Sequence, residues 1–345
     1  MGRFQALSDS KAKVIQKQSQ RVNPMPITTV ASVSITVGDI ERSIDFYTTI
    51  LGCTKVSDRE IVGQDIDRLY ELNDVHLRLA TLQLGEQTIE LIEFITPKGR
   101  LIPPNLRSID RAFQHIAIVV SDMEQAYQQL EHYDGPYGIL SKTSSSPQTL
   151  PKWNRVAGGI QAFYFKDPDG HNLELIHFPE GKGKEEWHQS TSSLFLGIDH
   201  TAIVIANAIV SRAFYCDLLG LTLQQESRNL GLEQERLSDV EKARVHVSSL
   251  SASSGLGIEL LEYVEPHGGH PIPIDTCAND LWFWQTTIVV EDLTAQVQRL
   301  QAYEFPLTHT EGIEVPSLGL KRSLLIRDPD GHVVRLTEQS GDALI

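Results

Sequence analysis

Short apolar runs alternate with polar and amphipathic stretches along most of the chain, and the order of these segments repeats four times. Each repeat begins with an apolar run, passes through an Asp or Asn into an amphipathic stretch, and ends with about three further apolar runs. Such runs, bounded by turn residues, are typical of strands, and an Asp or Asn before an amphipathic stretch is typical of a helix N-cap. The pattern therefore predicts an α+β fold of four βαβββ modules.

Two short motifs recur and divide the four modules into two similar halves. The pentapeptide Asp-Pro-Asp-Gly-His occurs at 167–171 and again at 328–332. Phe-Tyr followed by Leu-Gly occurs at 46–52 and at 214–220, an offset of 168 (214 − 46). Pro and Gly at these places favour a tight hairpin turn in the first motif, and the Gly after Leu is typical of a helix C-terminus in the second.

The boundaries follow from these repeats and from the polar stretches between them. We predict a polar N-terminal extension at 1–26, a first domain at 27–178 with modules at 27–96 and 111–178, a linker at 179–195, a second domain at 196–338 with modules at 196–265 and 281–338, and a tail at 339–345.

Composition narrows the class of protein. Of the 345 residues, 41% are hydrophobic and 22% are charged, which is typical of a globular enzyme, and no apolar run reaches the length of a membrane span. A net charge of −15 argues against a nucleic-acid partner. Three scattered cysteines form neither a metal motif nor a disulfide framework, which favours the cytoplasm. We expect a cytoplasmic monomer or homodimer that acts on a small molecule, without a membrane partner.

Polar residues stand at matching positions of the four modules. Alignment on the helix caps places one in each first strand, namely Ser32, His115, His200 and Gln285. Alignment of the last strands gives Glu90, Glu174, Glu259 and Arg335. The spacing of His115 and Glu174 (174 − 115 = 59) equals that of His200 and Glu259 (259 − 200 = 59). A Glu within an apolar strand is costly to bury unless it is paired, protonated or bound to a metal. If the helix covers one face of each sheet, these positions share the opposite, concave face.

Over roughly residues 28–338, this module with its first-strand His or Gln, last-strand Glu and DPDG hairpin resembles the vicinal oxygen chelate superfamily. The resemblance implies a glyoxalase-like fold in which the modules pair, first with second and third with fourth, into two cupped, barrel-like sheets. It also implies one or two divalent metal ions (Zn, Ni, Co, Mn, Mg or Fe), each bound where the inward positions of a pair meet.

Carried over to this chain, the resemblance implies two sets of metal ligands. The first domain would use Glu90, His115 and Glu174, with Ser32 leaving a coordination position open. The second would use His200, Glu259 and Gln285, while Arg335 would pair with Glu259 or bind a substrate carboxylate. Glu174 or Glu90 would be the catalytic base of the first domain, and Glu259 that of the second. Further candidates for contact with substrate are Arg100 and His270, in the loops joining the modules, and His246.

The activity implied by this resemblance is proton transfer by a carboxylate, in an isomerase or lyase whose substrate chelates the metal through vicinal oxygens. Two alternatives stay open. One is an extradiol-type dioxygenase of a catechol-like substrate, although Gln285 and Arg335 break its usual ligand set in the last two modules. The other is a non-catalytic protein that binds or sequesters a small molecule.

Overall fold

The computed structural model describes residues 27–131 and 145–338; the predicted N-terminal extension and tail lie outside these ranges. The first module contains β1 (Ile27–Thr36), β2 (Thr54–Val62), β3 (His76–Leu84) and β4 (Gln87–Thr96). The second contains β5 (Gln114–Val120), β6 (Gln148–Thr149), β7 (Gln161–Lys166) and β8 (Asn172–His177). The third contains β9 (Phe195–Ile205), β10 (Thr222–Leu230), β11 (Arg244–Ser251), β12 (Ser254–Gly255) and β13 (Gly257–Glu265). The fourth contains β14 (Trp284–Val290), β15 (Ile313–Val315), β16 (Leu320–Arg327) and β17 (Val333–Glu338).

Helices follow the first strand of every module, as the sequence predicts. In chain order the helices are α1 (Ile40–Asp45), α2 (Gln64–Tyr70), α3 (Met123–Glu131), α4 (Ala208–Arg212), α5 (Leu232–Ser238) and α6 (Leu293–Ala302). Helices α1 and α4 continue as π-helical segments at Phe46–Ile50 and Ala213–Leu218. The predicted caps Asp39, Asp122, Asn207 and Asp292 each accept a hydrogen bond from a backbone N–H of the following helix. Helices α2 and α5, between the second and third strands of the first and third modules, were not predicted.

The strands form two cupped sheets, each with a path of eight strands, which confirms the predicted fold class. One sheet has the order β15-β16-β17-β14-β1-β4-β3-β2, with the short β12 added beside β1. The other has the order β10-β11-β13-β9-β5-β8-β7-β6. The central pairs are antiparallel, β1 with β14 and β5 with β9. We call these sheets the outer cup, from the first and fourth modules, and the inner cup, from the second and third.

This pairing corrects one expectation. The modules were expected to pair as neighbours in sequence, first with second and third with fourth, whereas each observed sheet takes one module from each half. The repeat in the sequence marks the boundaries of the modules but carries no information about which first strands pair. The proposed ligand sets, which assumed neighbouring modules, are therefore redistributed between the cups.

A shared apolar core lies between the convex faces of the two sheets and their helices. It includes Val33 and Leu91 from the outer cup, Ile116 and Leu175 from the inner cup, and Leu300 from α6. Because alternate residues of a strand face opposite sides, this packing leaves the concave faces for the residues in between. No helix in the described part of the chain has the length and apolar character needed to cross a membrane.

Candidate metal centre

Four chemically active side chains meet on the concave face of the inner cup. His115 lies on β5, Glu174 on β8, His200 on β9 and Glu259 on β13, and these four strands are neighbours in the order β13-β9-β5-β8. Glu174 lies opposite Ala117 of β5, and Ala117 lies opposite His200 of β9. The pleat and the pairing of the strands therefore direct all four side chains to the same side of the sheet.

The distances between these side chains are short. Nε2 of His115 lies 3.1 Å from Oε2 of Glu174, and Nε2 of His200 lies 3.7 Å from the same oxygen. Nε2 of His200 is also 3.4 Å from Oε2 of Glu259. Ligand atoms of His115, Glu174 and His200 all lie within 4.8 Å of one another. His115, Glu174 and His200 are buried, while the Glu259 side chain is 22% exposed.

The surrounding hydrogen bonds orient two of these groups. Oδ2 of Asp199 lies 3.0 Å from Nδ1 of His200, on the far side of the imidazole from the cluster. Ser249 donates from Oγ to Oε1 of Glu259 over 2.6 Å. His115 is held differently, because its ring packs at 4.9 Å from the Tyr164 ring, and among the described residues its buried Nδ1 has no hydrogen-bond partner.

The cluster has an excess of negative charge. Burial alone would disfavour protonated His200, but Glu259, Asp199 and Glu174 outweigh it and raise the pKa of this imidazole to about 9. Burial, together with the charges of Glu174 and Glu259, raises the pKa of the Tyr164 hydroxyl well above its ordinary value. Tyr164 is therefore a neutral phenol beside a site that favours a cation.

These residues fit a divalent metal ion. Two imidazole nitrogens and two carboxylates form a donor set acceptable to Zn, Ni, Co, Mn or Fe ions. A cation would neutralise the repulsion between Glu174 and Glu259, which protonation of His200 relieves only in part. Even if all four side chains bound the ion, coordination positions would remain for substrate oxygens on an ion that prefers six ligands.

A cavity of about 670 Å³ opens above the cluster. One wall is apolar, with Leu150, Ile176 and Phe178, and another carries amides and hydroxyls from β10 and β11, including Gln225 and Ser249. Arg155, Lys182 and Lys184 also line the cavity. Residues 181–184 belong to the segment predicted as a linker, so this segment forms part of the cavity wall.

The outer cup holds the corresponding residues in a different arrangement. Nη2 of Arg335 lies 2.7 Å from Oε2 of Glu90, and Ser34 donates to the same oxygen over 2.5 Å. Nε2 of Gln285 donates to the Tyr70 hydroxyl over 3.3 Å. Arg335 was expected to pair with Glu259 or to bind substrate, but its carboxylate partner is Glu90. The guanidinium of Arg335 thus balances the negative charge of Glu90 within the outer cup.

Helices α2 and α5 explain why one cup is filled and the other is open. They occupy equivalent positions at an offset of 168 (232 − 64), so Ile66 and Tyr70 of α2 correspond to Gln234 and Ser238 of α5. Ile66 and Tyr70 belong to the apolar cluster that fills the outer cup. In the inner cup, the smaller Ser238 and the polar Gln234 leave the volume of the cavity unfilled, and Gln234 lines it.

The predicted site residues thus fall into three groups. The structure brings together His115, Glu174, His200 and Glu259, two of the three residues of each predicted ligand set. Glu90, Gln285 and Arg335 lie in the outer cup, and Ser32 lies on β1 of the same sheet. Arg100, His270 and His246 do not line the cavity.

The last three residues have other partners. Arg100 pairs with Asp280 at 2.6 Å and Asp275 at 2.9 Å, which joins the two loops that connect the modules of each half. His270, in the second of these loops, lies 2.9 Å from Asp110 in the first. His246 lies next to Val245 and Val247, which line the cavity, so the alternation of β11 directs it to the opposite face, where Nε2 is 3.0 Å from Glu226.

Sequence reasoning missed Asp199, Ser249 and Tyr164. Asp199 directly precedes His200, and this adjacency was a usable signal. Ser249 and Tyr164 lie opposite Glu259 and Glu174 on neighbouring strands, which a single sequence does not reveal. The matched 59-residue spacing supported each His–Glu pair within its own module but did not indicate that the second and third modules share a sheet.

Comparison with known proteins agrees with this fold. The family model described as the glyoxalase/bleomycin resistance protein/dioxygenase superfamily matches residues 29–175 and 197–336. The chain is 30% identical over 163 residues to a 2-epi-5-epi-valiolone epimerase of Actinomyces sp., covering 46% of this chain and 83% of the relative. It is 27% identical over 141 residues to a lactoylglutathione lyase of Escherichia coli O157:H7, covering 41% and 85%.

Among solved structures, glyoxalase I of Zea mays superposes with a TM-score of 0.57 at 16% identity, over 90% of this chain and 92% of that one. A putative dioxygenase of Bacillus subtilis gives a TM-score of 0.51 at 13% identity, over 92% and 86%. At these identities the likeness concerns the fold alone. Since the family model matches both halves, the chain belongs to the glyoxalase/bleomycin resistance protein/dioxygenase superfamily.

Proposed function

We propose that this protein is a divalent-metal-dependent isomerase or lyase of the glyoxalase type, with its active site in the inner cup. The observation that carries the proposal is the meeting of His115, Glu174, His200 and Glu259 on four neighbouring strands at a cavity of about 670 Å³. Two imidazoles and two carboxylates combine a metal-binding donor set with a group able to move a proton. Relatives in the family include an epimerase and a lyase, which is consistent with this class of reaction.

The four residues would have unequal roles. His115, Glu174 and His200 are the most deeply buried, and their ligand atoms all lie within 4.8 Å of one another, so they would hold the ion. When bound, the ion would supply Lewis-acid stabilisation of an oxyanion on a substrate with vicinal oxygens. Glu259 is more exposed to the cavity, and its Oε1 is held by Ser249, so Oε2 would take the substrate proton and return it.

The rest of the cavity would bind and orient the substrate. Gln234 is buried and lines the cavity, and its Oε1 has no hydrogen-bond partner among the described residues. It is suited to accept a hydrogen bond from a substrate hydroxyl or N–H group. Arg155 and Lys182 would favour a substrate with an anionic group.

A proton-exchange experiment tests the proposal. Protein loaded with Ni²⁺, Zn²⁺, Co²⁺ or Mn²⁺ is incubated in D₂O without oxygen, with the hemithioacetal of methylglyoxal and glutathione, a 2-acyl thioester or 2-epi-5-epi-valiolone. We expect NMR to show exchange of the α-proton of one of these compounds. Glu259→Gln should lower the exchange rate at least 100-fold while the protein still binds metal, and Glu174→Gln should weaken metal binding itself. The same exchange rate in Glu259→Gln would exclude this residue as the base.

One observation favours a second function. His115, His200 and Glu174 also form the two-histidine, one-carboxylate set of Fe(II) oxygenases. Oxygen uptake with a catechol by the Fe²⁺-loaded protein, together with no anaerobic proton exchange, would favour the dioxygenase. If the purified protein binds none of these metals, both enzymatic proposals fail, and a non-catalytic binding protein becomes the better explanation.

A further inference from the structure

The linker between the two halves reaches the metal centre through a chain of two hydrogen bonds. Trp187, in the 3₁₀ turn Glu185–His188, donates from Nε1 to Oδ1 of Asp199 over 2.8 Å. The other carboxylate oxygen of Asp199 lies 3.0 Å from Nδ1 of His200. On the opposite side of the imidazole, Nε2 of His200 faces Glu174 at 3.7 Å and Glu259 at 3.4 Å.

Each part of this chain is held in place. Trp187 is buried, and it packs so closely on Gly197 that a Cβ at that position would lie 2.9 Å from the indole ring. The Asp199 side chain is 19% exposed and His200 only 5%. The indole N–H can only donate, so it fixes which carboxylate oxygen faces the tryptophan and which faces the histidine.

We propose that Asp199, oriented by Trp187, is a positioning residue that keeps the proton of His200 on Nδ1 and leaves the Nε2 lone pair for the metal. The inference rests on the proposed metal centre but concerns residues outside it. A metal-bound histidine needs one nitrogen free of a proton, and the hydrogen bond at the other nitrogen decides which one that is. His115 has no such partner at Nδ1 among the described residues, so the two histidines are supported unequally.

Trp187 makes the effect of an Asp199→Asn substitution predictable. The asparagine oxygen must still accept from the indole, so its NH₂ group would face Nδ1 of His200. Two donors cannot bond to each other, so Nδ1 would become the acceptor and Nε2 would carry the proton. The imidazole would then offer the metal a protonated nitrogen, although its position had not changed.

The test measures metal affinity rather than activity. Binding of Ni²⁺ is titrated by calorimetry at pH 9 in competition with a chelator that keeps the metal in solution, and Co²⁺ binding is followed by its visible absorption under the same conditions. We expect Asp199→Asn to weaken both about 10–100-fold, the range typical of outer partners of metal ligands. Asp65→Asn changes a carboxylate that accepts a hydrogen bond from Ser317 in the outer cup, and it should leave the affinity for Ni²⁺ and Co²⁺ unchanged.

A double variant distinguishes positioning from a general structural effect. In Asp199→Asn with Trp187→Phe, the amide is free to turn its oxygen toward His200, so metal affinity should recover by at least threefold relative to Asp199→Asn alone. A purely structural role predicts the opposite, because two losses would add. Equal affinities of wild type and Asp199→Asn, or a double variant weaker than Asp199→Asn, would overturn the proposal.

A direct measurement covers the case in which Asp199→Asn fails to fold. In wild-type protein carrying ¹⁵N-labelled histidine and Zn²⁺, long-range ¹H–¹⁵N spectra should show the proton of His200 on Nδ1. A proton on Nε2 would contradict the inference. If the wild-type protein binds no Zn²⁺, Ni²⁺ or Co²⁺ at all, the metal centre itself is wrong, which is a different outcome.

Discussion

Single substitutions at equivalent positions account for the difference between the two cups. Where the inner cup has His200 and Glu174, the outer cup has Ser32 and Arg335. Arg335 pairs with Glu90 and is only 2% exposed, so a fixed guanidinium occupies the place of a cation within this sheet. Breaking a buried ion pair by removing one partner leaves a buried charge without compensation, which typically costs several kcal/mol.

We therefore expect Arg335→Met to destabilise the protein by roughly 3 kcal/mol, because Glu90 would remain without its cation. The double variant Arg335→Met with Glu90→Gln removes both charges and should recover most of that loss. The free energy of unfolding in urea measures both effects. Ni²⁺ binding at the inner cup serves as the control, since it should not change. Equal stability of Arg335→Met and wild type would show that the ion pair contributes little.

The residues of the inner cup were recognisable from sequence, but their grouping was not. His115 and Glu174, like His200 and Glu259, belong to a single module, and the periodicity of a strand is enough to place both on one face. Which two modules share a cup depends on the pairing of β5 with β9, between residues about 85 positions apart (200 − 115). Asp199 and Trp187 act through side-chain geometry, which the apolar pattern does not encode.

At the level of elements, the two repeated motifs turn out to contact each other. Tyr47, in the π-helical segment after α1, donates to Asp167 of the first DPDGH turn over 3.3 Å, and Tyr215 donates to Asp328 of the second over 3.1 Å. Gly170 and Gly331 have φ of +95° and +102°, as the predicted hairpin turn requires. Each turn therefore joins the two modules of one half, while the sheets join modules of different halves.

Asp328, in the second DPDGH turn, should make the stability of the protein depend on pH. Burial raises the pKa of Asp328 to about 6. Hydrogen bonds from His332, Asp330 and Tyr215 lower this pKa, but their effect is smaller than that of burial. Since this pKa is raised on folding, the folded state binds the proton more tightly. The contribution of Asp328 to stability is therefore largest below about pH 4 and falls as the pH rises to about 6, by roughly 1.4 kcal/mol per pH unit.

Unfolding in urea at pH 4.5, 5.5 and 6.5 checks this expectation. In Asp328→Asn the stability should fall less steeply with pH than in wild type, because the titrating carboxyl is absent. Burial, and after it the charge of Asp328, also raises the pKa of Asp330 to about 6. Part of the pH dependence of stability should therefore persist in Asp328→Asn. Parallel curves for the two proteins would assign the pH dependence to other groups.

At the level of the whole molecule, the crossed pairing joins the two halves into one structure. The antiparallel contacts of β1 with β14 and of β5 with β9 connect the halves through both sheets, and the ion pair of Arg100 with Asp280 connects their loops. If neighbouring modules had paired instead, each half would contain a complete sheet and could separate from the other. The two arrangements therefore differ in what holds the halves together.

Cleavage of the linker distinguishes these arrangements. Residues 189–193 are exposed and follow Trp187, so a protease site inserted between Ser190 and Thr191 leaves the cavity wall attached to the first half. After cleavage, we expect one species of unchanged size in gel filtration, with undiminished Ni²⁺ binding, because His115 and Glu174 are still held against His200 and Glu259. The fragments should separate only in denaturant. Two folded fragments that separate in native buffer would instead indicate that neighbouring modules pair, and His115 and Glu174 would then be parted from His200 and Glu259.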